Sequence, residues 1–364
     1  MGRATYLDYN ATAPVRPQTA AAVAEALDAC GNASSVHGFG RAARRIVEAA
    51  REAVAALVGA DPAGVVFTGG GTEANNQAIA GGGRTVVSAI EHESVLAAAP
   101  GARRVSVNAA GVVDLDDLED ALVGRPALVS VMLANNETGV IQPLAEASAL
   151  AHAAGALVHC DAVQGAGKIP VDMGALGIDL MTLSAHKLGG PQGVGALVVS
   201  DHLELQPLLR GGGQERRRRA GTENVPGIAG FGVAARLAKE NLMVEARRLT
   251  EMRDRLETEV TEIAPDCIIH GGAARRLPNT ACIGLAGVKG EVQVMALDLA
   301  GVAVSSGAAC SSGKVTPSHV LGAMGAANDD CAIRVSLGWA SEAAHVDHFL
   351  AAYRQMLAGV AAAA

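Results

Sequence analysis

The sequence predicts an α/β protein: a mostly parallel sheet sandwiched by helices, followed by a smaller α+β domain at the C-terminal end. Three observations carry this. Short, continuous apolar runs recur through the first two hundred residues, as expected of strands covered on both faces. Helical patterns lie between many of them. After Pro265 the elements become shorter and mixed.

Taken in order, the first clear helix covers 41–58, where Ile46, Ala50, Val54 and Leu57 recur at helical spacing among Arg and Glu. Gly59 and Asp61-Pro62 stop it. A β-branched run, Val65 to Thr68, follows. Further strands are expected at 85–90, 104–107, 128–133, 156–160, 179–183 and 195–200, with a helix over 143–154. A long helical pattern at 226–263, rich in Arg and Glu, is placed to bridge two domains. Beyond it, strands near 280–285 and 332–337 and helices near 290–299 and 342–358 complete the chain, and the Ala-rich last residues read as a frayed end.

Composition narrows the function. The chain has 364 residues, half of them apolar, which is enough for a sizeable core. A net charge of −8 argues against nucleic acid as a direct ligand. The sequence has no apolar run of membrane-spanning length and its first residues lack a signal-peptide pattern, so no membrane contact and a cytoplasmic location are expected. Six Cys with no CxxC pair fit reduced thiols. Only five of the 29 basic residues are Lys: Lys168, Lys187, Lys239, Lys289 and Lys314.

Six local patterns could carry chemistry. Gly69-Gly70-Gly71-Thr72-Glu73 lies between a strand and a helix, as an anion site or as a plain βα turn. Asp161 and Gln164 follow a strand at the sheet edge where α/β folds bind ligands; a carboxylate there could hold a cation or a protonated ring nitrogen, or could cap the next segment. Ser184-Ala185-His186-Lys187 follows another strand at that edge, and a Lys beside a His in a Gly-rich turn is suited to Schiff-base chemistry. Glu91-His92-Glu93 follows a third. Cys310, among Gly, Ala and Ser with Lys314 nearby, suits an exposed reactive thiol, whereas the other five Cys read as core. The run Arg216 to Arg219, beside a Gly-rich stretch and Thr222, suits a phosphate or a partner subunit better than nucleic acid.

Together these patterns resemble the cysteine desulfurases of the class V aminotransferase group, fold-type I pyridoxal-phosphate enzymes. The resemblance runs nearly end to end. It covers Tyr6 to Thr12, Asn32 to His37, Gly70 to Asn76, Glu91-His92, Asn135 to Gly139, Asp161 with Gln164, Ser184 to Lys187, Gln214-Glu215 through Asn224, Arg276 to Thr280, Cys310, and Arg334 to Gly338. Ala308, Ala33, Tyr9 and Gln192 stand where the family commonly has Ser, Pro, Asn and Lys; none of these positions has a chemical role.

The resemblance implies a large domain over 15–255 with a seven-stranded sheet that binds the cofactor, and a small domain from 1–14 and 256–364 carrying a mobile Cys310 loop. It implies that Lys187 holds pyridoxal 5'-phosphate as a Schiff base and moves the substrate's α-proton, that Asp161 pairs with the ring nitrogen, and that His92 stacks on the ring. Gln164 is expected on the ring hydroxyl. Gly71, Thr72, Ser184 and His186 are expected on the phosphate, with Thr222 reaching it from a neighbouring subunit of a homodimer. Asn136, which also borders the cofactor site, and Arg334 would take the substrate carboxylate, and Cys310 would accept sulfur from L-cysteine as a persulfide.

The same resemblance, to the long-loop branch, implies an iron–sulfur scaffold protein or another acceptor such as a tRNA-thiolation protein as partner, with no resident metal; the Cys310 persulfide would touch a cluster only in passing. A selenocysteine lyase or a small-amino-acid aminotransferase on the same scaffold is the alternative enzyme. A non-catalytic sulfur-relay protein is the alternative of a different class.

Overall fold

The computed structural model describes residues 4–80, 83–306 and 317–363. Strand β1 (Thr5–Tyr6) is followed by helices α1 (Pro17–Asp28) and α2 (Gly38–Leu57). Next come β2 (Val65–Thr68), α3 (Gly71–Ile79), β3 (Thr85–Ser88), the one-turn α4 (Glu93–Leu96), β4 (Arg103–Val105), α5 (Leu115–Leu122), β5 (Leu128–Ser130), α6 (Leu144–Ala153), β6 (Leu157–Asp161), β7 (Leu180–Ser184) and β8 (Gly195–Val199). Helix α7 (Val225–Ile263) then leads into β9 (Ile268–Ile269), β10 (Thr280–Gly284), α8 (Gly290–Leu299), β11 (Val302–Ala303), β12 (Ser305–Ser306), α9 (His319–Ala323), β13 (Ala332–Ser336) and α10 (Ala343–Ala363).

The seven-stranded sheet runs β2-β8-β7-β6-β5-β3-β4. Neighbours from β7 to β4 pair in parallel, while β8 is antiparallel to both β7 and β2. Two antiparallel steps restore the direction, so β2, β3, β6 and β7 all end on one edge. That edge therefore receives the glycine turn, Glu91-His92, Asp161 and the Lys187 turn together.

Alternate residues of each strand feed different cores. Val65 and Phe67 pack with α2, α6 and α7 on one face, and Val66 packs with Ala74, Ala78 and Val95 on the other. Both faces are dry, which is why the strands read as unbroken apolar runs. His37 caps α2 by accepting from Gly40 N, and Gly59 closes it at φ +66°. Asn224 caps α7 by accepting from Gly227 N. Helix α7 is unbroken for 39 residues.

A separate four-stranded sheet, β12-β13-β10-β9, has its own core of Leu7, Leu249, Leu256, Ile283, Val335, Phe349 and Tyr353. Strand β1 pairs in parallel with β11, which ties the N-terminal segment to this C-terminal body. Helix α1 has no counterpart in the sequence reading. Cys30, expected in the core, is exposed and corrects that expectation: it follows the end of α1 at the surface.

Candidate active site

The turn after β2 opens directly into α3, whose first-turn N–H groups have no carbonyl to accept them within the helix. A side chain at Gly71 would place its Cβ 3.1 Å from Val163 and 3.5 Å from Ser184, so glycine lets the helix start press against the strand ends. Glu73 closes the outer side of the turn by accepting from Gly69 N at 2.7 Å. Thr72 and Ser184 flank the helix start, and His186 stands next to them with its Nδ1 3.2 Å from Thr12 Oγ1. Burial, then the charge of Lys187, pushes the His186 pKa down to about 4, so its ring is neutral at neutral pH.

At the other end, Asp161 is buried at the tip of β6. Its two oxygens accept from Asn75 Nδ2 at 2.7 Å and Val163 N at 3.0 Å. These bonds hold the carboxylate in one orientation. Behind it, Glu91 is fully buried; its Oε1 accepts from Met132 N at 2.6 Å and its Oε2 has no partner among the described residues. Burial, then the nearby Asp161, raises the Glu91 carboxyl well above its usual range.

Lys187 lies between these ends. Its Nζ donates to the carbonyls of Asn10 at 2.5 Å and Ala11 at 2.8 Å. His92 caps α4, with Nδ1 2.7 Å from Ser94 Oγ and accepting from Ser94 N at 3.1 Å, so its ring direction is fixed. From the second body, Arg334 on β13 donates through Nη2 to Asp8 Oδ1 at 2.8 Å and through Nη1 to the Asn136 carbonyl at 3.2 Å; its Nε has no partner among the described residues.

Gly71, Thr72, His92, Asn136, Asp161, Gln164, Ser184, His186, Lys187 and Arg334 all line one cavity of about 250 Å³. Thr222 is exposed and does not line it. Cys310 lies outside the described residues. No cluster of metal-ligating side chains occurs among the described residues. The sequence reading missed Asn10, Asn75 and Lys168 as site-building residues. Asn10 and Asn75 stood inside quoted motifs, while Lys168 carried only the signal of being one of five lysines.

The fit to pyridoxal phosphate follows from this donor set. An oriented carboxylate suits a pyridinium N–H. An amine suits an aldehyde. A helix start with two hydroxyls suits a phosphate. The cradle at Gly71, which a Cβ would fill, leaves room for the phosphate to approach the backbone.

Comparison with known proteins agrees. Residues 5–349 match the aminotransferase class-V family, and the chain belongs to it. This is a family of pyridoxal-phosphate enzymes. A cysteine desulfurase of Trichormus azollae is 44% identical over 335 residues, covering 88% of this chain and 84% of that protein. A cysteine desulfurase named IscS from Dictyoglomus turgidum is 44% identical over 340 residues, covering 89% and 86%. The X-ray structure of a NifS-like protein from Rickettsia africae superposes with a TM-score of 0.92 at 35% identity, covering 98% of this chain and all of that one.

Proposed function

We propose that the protein is a pyridoxal-phosphate-dependent cysteine desulfurase that converts L-cysteine to L-alanine and passes the sulfur to Cys310. The observation that carries this reading is the placement of Lys187 and Asp161 in one cavity, with Arg334 reaching it from the other body. The family membership supports the cofactor, and the relatives' names support the reaction.

When bound, pyridoxal phosphate supplies an electron sink for charge leaving the substrate. Asp161 would hold a proton on the ring nitrogen and so keep that sink strong. The α3 start, Gly71, Thr72, Ser184 and neutral His186 would hold the phosphate, and Gln164 would donate to the ring hydroxyl. Arg334, with Asn136, would take the substrate carboxylate. Lys187, once its amine is released, would move the α-proton, and His92 would assist at the ring face. The Cys310 thiolate would attack the substrate sulfur: a sulfur–sulfur bond forms as the carbon–sulfur bond breaks. The electron pair left on carbon takes a proton, which gives alanine.

The remaining parts of the proposal rest on the family resemblance. The protein would act as a cytoplasmic homodimer, with Thr222 reaching the neighbour's phosphate; its exposed position in this chain supports that. The Cys310 persulfide would be delivered to an iron–sulfur scaffold or another acceptor protein. The large domain would span 15–255 and the small one 1–14 with 256–364, supported by the second core that joins Leu7 to Leu256 and Tyr353.

The test is incubation of the purified chain with L-cysteine while alanine and sulfide are measured, beside a visible spectrum. Equal amounts of alanine and transferable sulfur, and an absorbance that borohydride bleaches, are expected. Absence of that absorbance would overturn the cofactor reading. Release of alanine from selenocysteine alone would overturn the substrate.

A further inference from the structure

Lys168 is a second lysine at this site, arriving from a direction the sequence did not suggest. Gly167 takes φ +73°, and a Cβ there would sit 2.6 Å from Leu188, the residue after Lys187. The chain at 167–168 is therefore pressed against the Lys187 turn. Lys168 Nζ lies 2.8 Å from Asn10 Oδ1 and 2.8 Å from Gln164 Oε1. Neither partner is a carboxylate, an unusual setting for an ammonium taken out of water.

Charged groups approach it from several elements: Lys187 after β7, Arg334 on β13 with its partner Asp8, and Arg16 and Glu245 across a small cavity behind it. Burial, then Lys187 and Arg334, pulls the Lys168 amine well below its ordinary value.

An amide side chain can turn by 180° and exchange donor for acceptor. An amine that points hydrogens at both oxygens removes that freedom from two amides at once. With Oε1 held by Lys168, Gln164 turns its Nε2 to donate to the Asn10 carbonyl at 3.0 Å, and one N–H of that nitrogen remains where Gln164 lines the cavity. With Oδ1 held by Lys168 and by Asn279, Asn10 turns its Nδ2 to Thr280 Oγ1 and the Asn136 carbonyl. The Asn10 carbonyl is the same group that accepts from Lys187.

The geometry points to Lys168 as a positioning residue for the proposed reaction: it fixes the Gln164 amide so that a donor faces the ring hydroxyl, and it anchors the Asn10 side chain on the residue whose main-chain carbonyl receives Lys187. This rests on the cofactor reading above.

The test compares wild type with Lys168→Met, which keeps the length and removes the donors. The full apo chain is titrated with pyridoxal phosphate by calorimetry, and the pH midpoint of the loaded protein's visible band is measured. Lys168→Met is expected to weaken cofactor binding roughly tenfold, the loss usual for one buried hydrogen bond, and to move the midpoint by about one pH unit. Gln164→Ala combined with Lys168→Met should lose little more than Gln164→Ala alone, because one acts through the other. In Lys168→Ala, n-propylamine should restore the midpoint, which a merely structural lysine would not allow; this variant also serves if Lys168→Met fails to fold. An unchanged affinity and midpoint, or fully additive losses, would overturn the role of Lys168. A wild-type chain that develops no visible band would instead overturn the cofactor reading.

Discussion

Ser318 donates its hydroxyl to Glu137 Oε2 at 2.6 Å, joining two buried side chains 181 residues apart. The first caps α9 and the second follows Asn136, which lines the cavity. Burial raises the Glu137 carboxyl, and the Ser318 bond works against that rise. Removing the bond strands a buried oxygen. Ser318→Ala is expected to lose about 1–3 kcal/mol of stability by urea unfolding. The folded carboxyl then rises further, so the folded state binds the extra proton, and the loss should be larger at pH 8 than at pH 5. A pH-independent loss would contradict this.

Beneath the glycine turn, Arg51 grips Glu215 through both guanidinium nitrogens at 2.9 Å, and Glu215 also accepts from Phe67 N. Glu215, Arg216 and Arg217 all have positive φ, a costly conformation for three successive non-glycine residues. The buried pair holds this bend in place. Glu215→Ala leaves the buried Arg51 with only the half-exposed Glu48 as a carboxylate partner and is expected to cost about 3 kcal/mol, whereas Arg51→Leu with Glu215→Leu should cost less than Glu215→Ala alone. Thermal unfolding of the two variants checks the order.

His159 sits fully buried between Ser130 Oγ and Thr182 Oγ1. Burial pushes its pKa down to about 4, with Asp161 pulling the other way. Between pH 6.5 and 4 the unfolded chain takes up a proton that the folded one refuses, so stability must fall as pH falls through that window. The expected loss from this residue is up to about 3 kcal/mol. His159→Gln should flatten the slope of unfolding free energy against pH; an unaltered slope would count against it.

Lys187→Ala is expected to abolish the visible band that pyridoxal phosphate gives with the wild type, by loss of the Schiff-base amine. Cys310→Ala should keep that band and lose sulfide formation from cysteine. A Cys310→Ala variant with full desulfurase activity would remove the thiol from the reaction.

Much of this was readable from the sequence. Strands β2 to β8, β10 and β13 and helices α6, α7 and α8 fall within a few residues of their expected places because continuous apolar runs and helical spacing are local signals, whereas the two-residue strands β1, β9, β11 and β12 carry too short a pattern to be read. Asp161, His92 and Lys187 were legible because each follows a strand end. The reversed direction of β8 was not, since an apolar run looks the same either way. The role of Lys168 was not legible either, and Asn10 and Glu91 stood inside quoted motifs without any sign of theirs. Their meaning comes from pairings such as Lys168 with Asn10, 158 residues apart, and from burial that no neighbouring residue announces.

The parallel pairing of β1 with β11 has a consequence for biosynthesis. Thr5 aligns with Val302, and Asn10 is held by Thr280, Asn279 and Ser336. The residue whose carbonyl receives the Lys187 amine is thus translated long before the residues that hold it in place. From residue 10 to residue 336 the ribosome adds 326 amino acids, about 16–65 s at roughly 5–20 residues per second. The large sheet can assemble in that interval. The pocket cannot close until β13 has been made, so loading waits for that strand, and a chain stopped before β13 would carry Lys187 without its cradle.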